Sequence, residues 1–430
     1  MRILVLGGGG REDAIVAKLA ESPLVTGIFS APGNAGTARL AENVELDIED
    51  GTQVAAFAKD NGVELVVIGP EVPLVAGVAD VLREAKIPVF GPGASGAMME
   101  GSKAFAKNLM LKYGIPTGVS SAFTDRDTAL GYLEKVGAPV VVKADGLAAG
   151  KGVIVASDVE TARNAIDDCF GGRFGSAGST VLIEEYLEGP ECSLLVFTDG
   201  RTMIPMPPAQ DHKRAFDGDL GPNTGGMGVY SPVPAVTAAE HAQMLAIMEK
   251  TVSALREESI DYRGVLYGGF MLTAEGPRVL EFNARFGDPE TQVILVRMVG
   301  DLAKVMLACA QGELEDAEIA WSDDWAVSVV LASSGYPGEY ETGKPITGIE
   351  AAEQIEGVRV YHAGTALNEA GELVTAGGRV LNVTAVGHDL TAARQRAYRA
   401  VELISFEGKS YRTDIGRRAS LGDTETLAKS

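Results

Sequence analysis

Three short stretches hold the residues best suited to chemistry. In the first, Val140-Val141-Val142 runs into Lys143, then into a small-residue loop containing Gly146, Gly150, Lys151 and Gly152, before Val153-Ile154-Val155 resumes. A lysine after three apolar strand residues is costly to bury without an anion. A glycine-rich loop brings backbone N–H groups close to a ligand. Lys143, Gly150 and Lys151 are therefore candidate phosphate contacts on a flap between two antiparallel strands. The loop is not a Walker A motif. Three residues separate Gly146 from Gly150, Lys151 precedes Gly152, and a strand follows where that motif opens a helix.

The second stretch, Val181-Leu182-Ile183-Glu184-Glu185-Tyr186-Leu187-Glu188-Gly189-Pro190-Glu191, takes an apolar strand into paired acids and a turn. Such a hinge offers backbone groups to an adenine edge around Glu184, Glu185 and Leu187, with Glu191 placed for ribose hydroxyls. In the third, Val279-Leu280-Glu281-Phe282-Asn283-Ala284-Arg285, alternation puts Glu281 and Asn283 on one strand face. Two hard oxygen donors suit Mg²⁺ (or Mn²⁺) bridging ATP phosphates. Arg285, two residues on, is set to steady a transferring phosphoryl group.

These stretches resemble the ATP-grasp superfamily, whose two lobes clasp ATP. The likeness to the phosphoribosylamine–glycine ligase family spans nearly the whole chain. It rests on Ala31–Thr37, Gly69-Pro70-Glu71, Gly101–Phe105, the Lys143–Gly152 flap, Gln210–Arg214, Gly221–Gly228 and Arg285–Thr291. The resemblance implies ATP-dependent joining of glycine to 5-phosphoribosylamine in purine biosynthesis. Lys103, Lys143 and Lys151 would neutralise ATP phosphates, Glu281 and Asn283 would hold the metal, and Arg285, Lys143 and Asp211 would be the catalytic set. Asp211 would also meet the glycine ammonium. Gly9, Asn34, Gly36, Pro70, Glu71, Lys213, Asn223, Gly225, Arg285, Gly287 and Asp288 would contact the substrates. One departure is Asp13, where the family's GGREHA loop has histidine.

The elements that must position these residues follow from periodicity. Over the first hundred residues, strands at Ile3–Leu6, Ile28–Ser30, Leu65–Ile68 and Val89–Phe90 alternate with helices at Glu12–Ala20, Val54–Lys59 and Val75–Ala85, which predicts a doubly wound parallel sheet. The loops Gly7–Gly10, Pro32–Gly36 and Gly69–Glu71 then fall beyond its strand ends, where ligands bind. A nicotinamide site is disfavoured. Glu12 stands at the third fingerprint glycine, and Ser30-Ala31-Pro32 lacks the ribose-binding acid. The expected fold class is α/β and α+β, multidomain: an N-terminal doubly wound parallel sheet (1–120), a two-lobed ATP-grasp core (121–191 and 192–325), and a small C-terminal α+β domain (326–423) before a tail (424–430). The last domain is expected to carry strands near Val327–Leu331, Arg359–Ala363 and Arg379–Val386 and a helix over Thr391–Leu403.

Composition narrows the partners. The 430-residue chain carries a formal net charge of −22, which argues against nucleic acid or anionic membrane. No apolar run is long enough to cross a bilayer. Three scattered cysteines and no CxxC suit a reducing cytoplasm. A monomer is expected, with a dimer as the alternative. Two other functions stay open at this stage: a sibling ATP-grasp enzyme using another acid or amine, and a non-catalytic nucleotide-binding regulator.

Overall fold

A computed structural model describes residues 1–147 and 152–420. The expected roles of Gly150 and Lys151, and the 424–430 tail, lie outside the described residues.

Strands β1 (Arg2–Gly7), β2 (Gly27–Pro32), β3 (Glu42–Asn43), β4 (Leu65–Ile68) and β5 (Val89–Phe90) form a parallel sheet in the order β3-β2-β1-β4-β5. The runs of β1, β4 and β5 are apolar because both faces are covered, whereas the edge strand β3 is polar and exposed. Leu4, Leu6, Val66 and Ile68 enter one core, while Ile3, Val5, Leu65 and Val67 enter another. The strand order reverses at β1, so the loops after β1, β2 and β4 share the edge where a ligand crevice forms. The single helix expected at Val75–Ala85 is instead two, Glu71–Val75 and Val78–Glu84. The break is Gly77, whose φ of 82° no helix interior adopts.

A second unit pairs β6 (Ser120–Phe123), β7 (Val140–Ala144), β8 (Val153–Ala156) and β9 (Val181–Glu185) in the order β6-β9-β7-β8. Helices Arg126–Val136 and Val159–Phe170 close a separate core around Leu133, Val142, Ile166 and Ile183. Strands β7 and β8 are antiparallel, and Ala144 N donates to Gly152 O at 2.8 Å across the base of the flap.

From Glu191 onward come β10 (Glu191–Thr198), β11 (Met203–Pro205), β12 (Gln210–Asp211), β13 (Arg214–Phe216), β14 (Leu220–Asn223), β15 (Gly228–Ser231), β16 (Gly264–Thr273) and β17 (Gly276–Asn283). The large-lobe sheet runs β11-β10-β16-β17. Leu194 and Val196 of β10 join the first core of the N-terminal sheet, and Leu195 and Phe197 join the second. The N-terminal sheet and the large lobe are thus packed as one body.

The C-terminal strands and helix sit close to expectation, at Trp325–Ser333, Val358–His362, Arg379–Gly387 and Leu390–Leu403. Their sheet, however, does not stop at residue 326. It continues through β15 and β12, with Gly228 opposite Val329. An edge strand leaves backbone groups unpaired, and the β15 segment satisfies those of Trp325–Ser333.

Candidate active site

A cleft of about 1190 Å³ opens between the small lobe and the rest of the molecule. On its nucleotide side, Ser102 caps the helix Lys103–Tyr113 by accepting from Phe105 N. Asp145, at the base of the flap, accepts from Ala104 N at 2.7 Å and from Ser102 Oγ at 3.1 Å. This fastens the base of the flap to the helix N-terminus. Lys103 Nζ reaches Gly146 O at 3.1 Å, and burial lowers its pKa although Glu281 opposes the shift.

One helical turn on, Lys107 faces the same cleft. Lys107 Nζ and Lys143 Nζ each lie 2.9 Å from Glu184 Oε2. Lys107 also donates to Thr117 Oγ1 at 2.7 Å. Glu184 Oε1, though buried, has no partner among the described residues. An orphaned buried acceptor is costly unless a ligand N–H meets it, which suits the expected adenine edge. Sequence reasoning singled out Lys103 and Lys143 but missed Lys107; its i+4 spacing from Lys103 was the available signal.

Glu281 and Asn283 line the cleft at the end of β17. Burial works against the Glu281 charge, but Lys213, Lys143, Lys103 and Arg285 outweigh it and hold the carboxyl below its usual range. Among the described residues, no group of three or more His, Cys, Asp or Glu side chains could hold a metal ion unaided. Two hard oxygen donors beside phosphate-binding lysines fit a divalent cation whose other ligands are phosphate and water.

Arg285 follows at once. Its Nη2 pairs with Glu100 at 2.6 Å and its Nε with Glu71 at 3.3 Å. Burial disfavours its charge, yet Glu100 and Glu71 hold its pKa above the ordinary value. Glu71, expected on a substrate, is therefore already shared with Arg285. Glu100, buried and also accepting from Ala284 N at 2.8 Å, had no sequence signal.

Across the cleft, Lys213 Nζ meets Glu191 at 2.8 Å and Glu281 at 3.9 Å. Glu191, expected at the ribose, and Lys213, expected at the amine substrate, thus form one pair. Beside them burial pushes the Asp211 carboxyl up to about 8 against the pull of Lys213. Pro70, Glu185, Leu187, Asn223, Gly225 and Asp288 also line the cleft.

Gly9, Asn34, Gly36 and Gly287 do not line it. The Asn34 side chain is used up by the protein, donating to Gly8 O at 3.0 Å and His362 O at 2.8 Å. It also accepts from Gly36 N at 2.8 Å and Thr37 N at 3.0 Å. It builds its loop and ties it to the C-terminal domain. Gly9 N is capped by Glu12 Oε2 at 2.7 Å. A Cβ at Gly36 would stand 2.6 Å from His362 Cβ, and one at Gly287 would stand 2.4 Å from Glu290 Oε2, so packing by itself favours glycine at both positions.

A nucleotide-sized cleft between two α+β lobes, with a glycine-rich hairpin, two strand- and helix-borne lysines and an acid–amide pair, defines an ATP-grasp enzyme. The chain belongs to the phosphoribosylglycinamide synthetase family, whose N domain matches residues 1–100, ATP-grasp (A) domain residues 101–291 and C domain residues 326–418. It is 49% identical over 425 residues to the phosphoribosylamine–glycine ligase of Rhizobium meliloti (strain 1021), covering 99% of this chain and 100% of that one. A solved phosphoribosylamine–glycine ligase from Thermotoga maritima superposes with a TM-score of 0.84 at 36% identity, covering 96% of this chain and 100% of that chain. The biotin carboxylase domain of Hydrogenobacter thermophilus 2-oxoglutarate carboxylase, solved with MgADP, shares the fold at TM-score 0.75 and 17% identity, covering 95% and 91% of the two chains.

Proposed function

We propose that this chain ligates glycine to 5-phospho-D-ribosylamine, giving glycinamide ribonucleotide, ADP and phosphate. Family membership supports the overall reaction. The observation that carries it to these residues is the meeting, in one cleft, of Lys103, Lys143, Glu281, Asn283 and Arg285 with the Asp211–Lys213–Glu191 group.

A carboxylate is a poor electrophile, so a glycine oxygen first attacks the ATP γ-phosphorus and ADP departs. The amine of phosphoribosylamine then attacks the acyl carbon of glycyl phosphate, phosphate leaves with the C–O electrons, and the nitrogen loses a proton. Lys103 and Lys143 offset phosphate charge, while Arg285, preorganised by Glu100 and Glu71, faces charge developing on the transferred group. Glu281 and Asn283 would hold the divalent cation, Mg²⁺ or Mn²⁺, which supplies charge neutralisation at the phosphates. Asp211 receives the glycine ammonium, with Lys213 beside it. Asn223, Gly225 and Asp288 border the amine substrate, with Pro70 also on the lining. No described helix is long and apolar enough to cross a membrane, and the three buried free thiols suit a reducing cytoplasm. We infer a monomer as the working unit.

A coupled ADP-release assay tests this reading. ADP and glycinamide ribonucleotide are expected with glycine plus phosphoribosylamine and absent with formate or bicarbonate. Turnover with another acid, and none with glycine, would assign the chain to a sibling reaction.

A further inference from the structure

Arg379 is where three distant parts of the chain meet. It is the first residue of the C-terminal strand Arg379–Gly387. Its Nη1 donates to Gly225 O at 2.6 Å, Asp288 O at 2.9 Å and Gly226 O at 3.4 Å, and its Nη2 meets Asp288 Oδ2 at 3.0 Å. Asp288 is held on its other oxygen by Gln292 Nε2 at 2.8 Å. Tyr336, also from the C-terminal domain, accepts from Gly225 N at 3.1 Å. Among the described residues no backbone hydrogen bond joins the Asn223–Gly226 loop to the Phe286–Pro289 loop. The guanidinium is the polar link between them.

The glycines of that loop report the same contact. A Cβ at Gly225 would stand 3.1 Å from Arg379 Cζ, and one at Gly226 would stand 2.5 Å from Pro289 Cδ. The guanidinium lies close enough against Gly225 that a side chain there would press it aside by a few tenths of an ångström. Asp288 outweighs the effect of burial and keeps the Arg379 charge in place. With Nη1 and one Nη2 donor committed to protein acceptors, Arg379 lies on the cleft lining as a brace between its walls.

We propose that Arg379 is a positioning residue for the acceptor amine: through it, the C-terminal domain sets the spacing between the Asn223–Gly226 and Asp288 walls of the cleft. This rests on the ligase reading above. The nucleotide side, built from Lys103, Lys143, Glu184 and Glu281, has no hydrogen bond to Arg379. Misplacing a reacting group by about 1 Å can cost about 10² in rate, and here the loss falls on the second step. The acyl phosphate would still form, then be lost to water instead of to the amine.

The test compares Arg379→Met, Arg379→Lys and Gly225→Ala with the wild-type chain, reading ADP and glycinamide ribonucleotide separately. For Arg379→Met we expect glycine-dependent ADP release to stay within about threefold of wild type while amide product falls about 10²-fold, so that ADP exceeds product, with KM for phosphoribosylamine raised about tenfold. Affinity for a non-hydrolysable ATP analogue stays within about twofold. Lysine, a point charge that cannot bridge both loops, recovers only part of the coupling. Gly225→Ala, which presses on the guanidinium from the other side, shows a smaller excess of ADP over product in the same direction and keeps the test open if Arg379→Met folds poorly. Equal falls in ADP and product at a one-to-one ratio, with unchanged KM for the amine, would overturn the proposal. So would loss of analogue binding in all three folded variants. A wild-type chain inactive with glycine would instead overturn the ligase reading itself.

Discussion

At the scale of single residues, function depends on charges held where water would not hold them. Lys143 stands buried between Glu184 and the cleft. Replacing it with alanine removes one preorganised cation from the phosphates, and we expect ADP release to fall about 10²–10³-fold in a chain whose circular dichroism is unchanged. Wild-type turnover in that variant would refute the assignment. Glu281→Ala leaves Asn283 as the lone protein donor for a hard cation. The Mg²⁺ midpoint for activity should rise about tenfold or more, alongside a loss of maximal rate. Asp13 shows the opposite use of burial, which pushes its carboxyl up to about 7 while His362 N donates to it at 2.7 Å. Its folded pKa lies above the unfolded value of 3.8. Its contribution to stability is therefore complete below that value and lost as pH rises towards 7. Asp13→Asn keeps an acceptor for His362 N without the charge. Urea melts should show the variant gaining on wild type between pH 4 and 7 by on the order of 4 kcal/mol, then holding a constant lead. A difference that does not change with pH would contradict this.

At the scale of elements, the loops at the strand ends are shaped by close backbone approaches. A Cβ at Gly8 would stand 2.5 Å from Gly33 O, a backbone atom with no rotamer to yield. Gly8→Ala must therefore part the first two loops of the N-terminal sheet. We expect a loss of about 1–3 kcal/mol in the urea midpoint with the slope unchanged. A neutral outcome would mean the two loops move apart freely. The same loops show why Asn34 was legible as important but not in its role. A Gly/Asn loop beyond a parallel strand reads as a ligand cradle whichever way its amide turns. Here it turns towards His362, 328 residues away.

For the whole molecule, the distribution of cores decides what moves. The N-terminal sheet and the large lobe share both of their cores, whereas the small lobe closes its own around Leu133, Val142 and Ile183. Rotating the small lobe therefore breaks little packing, and a nucleotide held as proposed by Lys103, Lys143 and Glu281 would draw it towards the large lobe. Small-angle scattering should record a lower radius of gyration with a saturating non-hydrolysable ATP analogue and Mg²⁺. An unchanged radius would show that the cleft is preformed.

What the sequence by itself determined is whatever depends on local period and on chain order. Glu281 and Asn283 share a strand face because side chains alternate, Lys143 ends an apolar run, and the first three loops share one sheet edge because strands joined by βαβ crossovers run parallel. Only the tertiary structure decided which charges those groups would meet. Glu191 with Lys213, Lys107 with Glu184, and Arg379 with Gly225 and Asp288 pair residues 22, 77, 154 and 91 positions apart. Nor did the C-terminal module announce that its sheet would take in Gly228–Ser231 from the large lobe. Such partners are selected by how separate elements pack and by the need to satisfy buried polar groups there, and neither leaves a periodic mark along the chain.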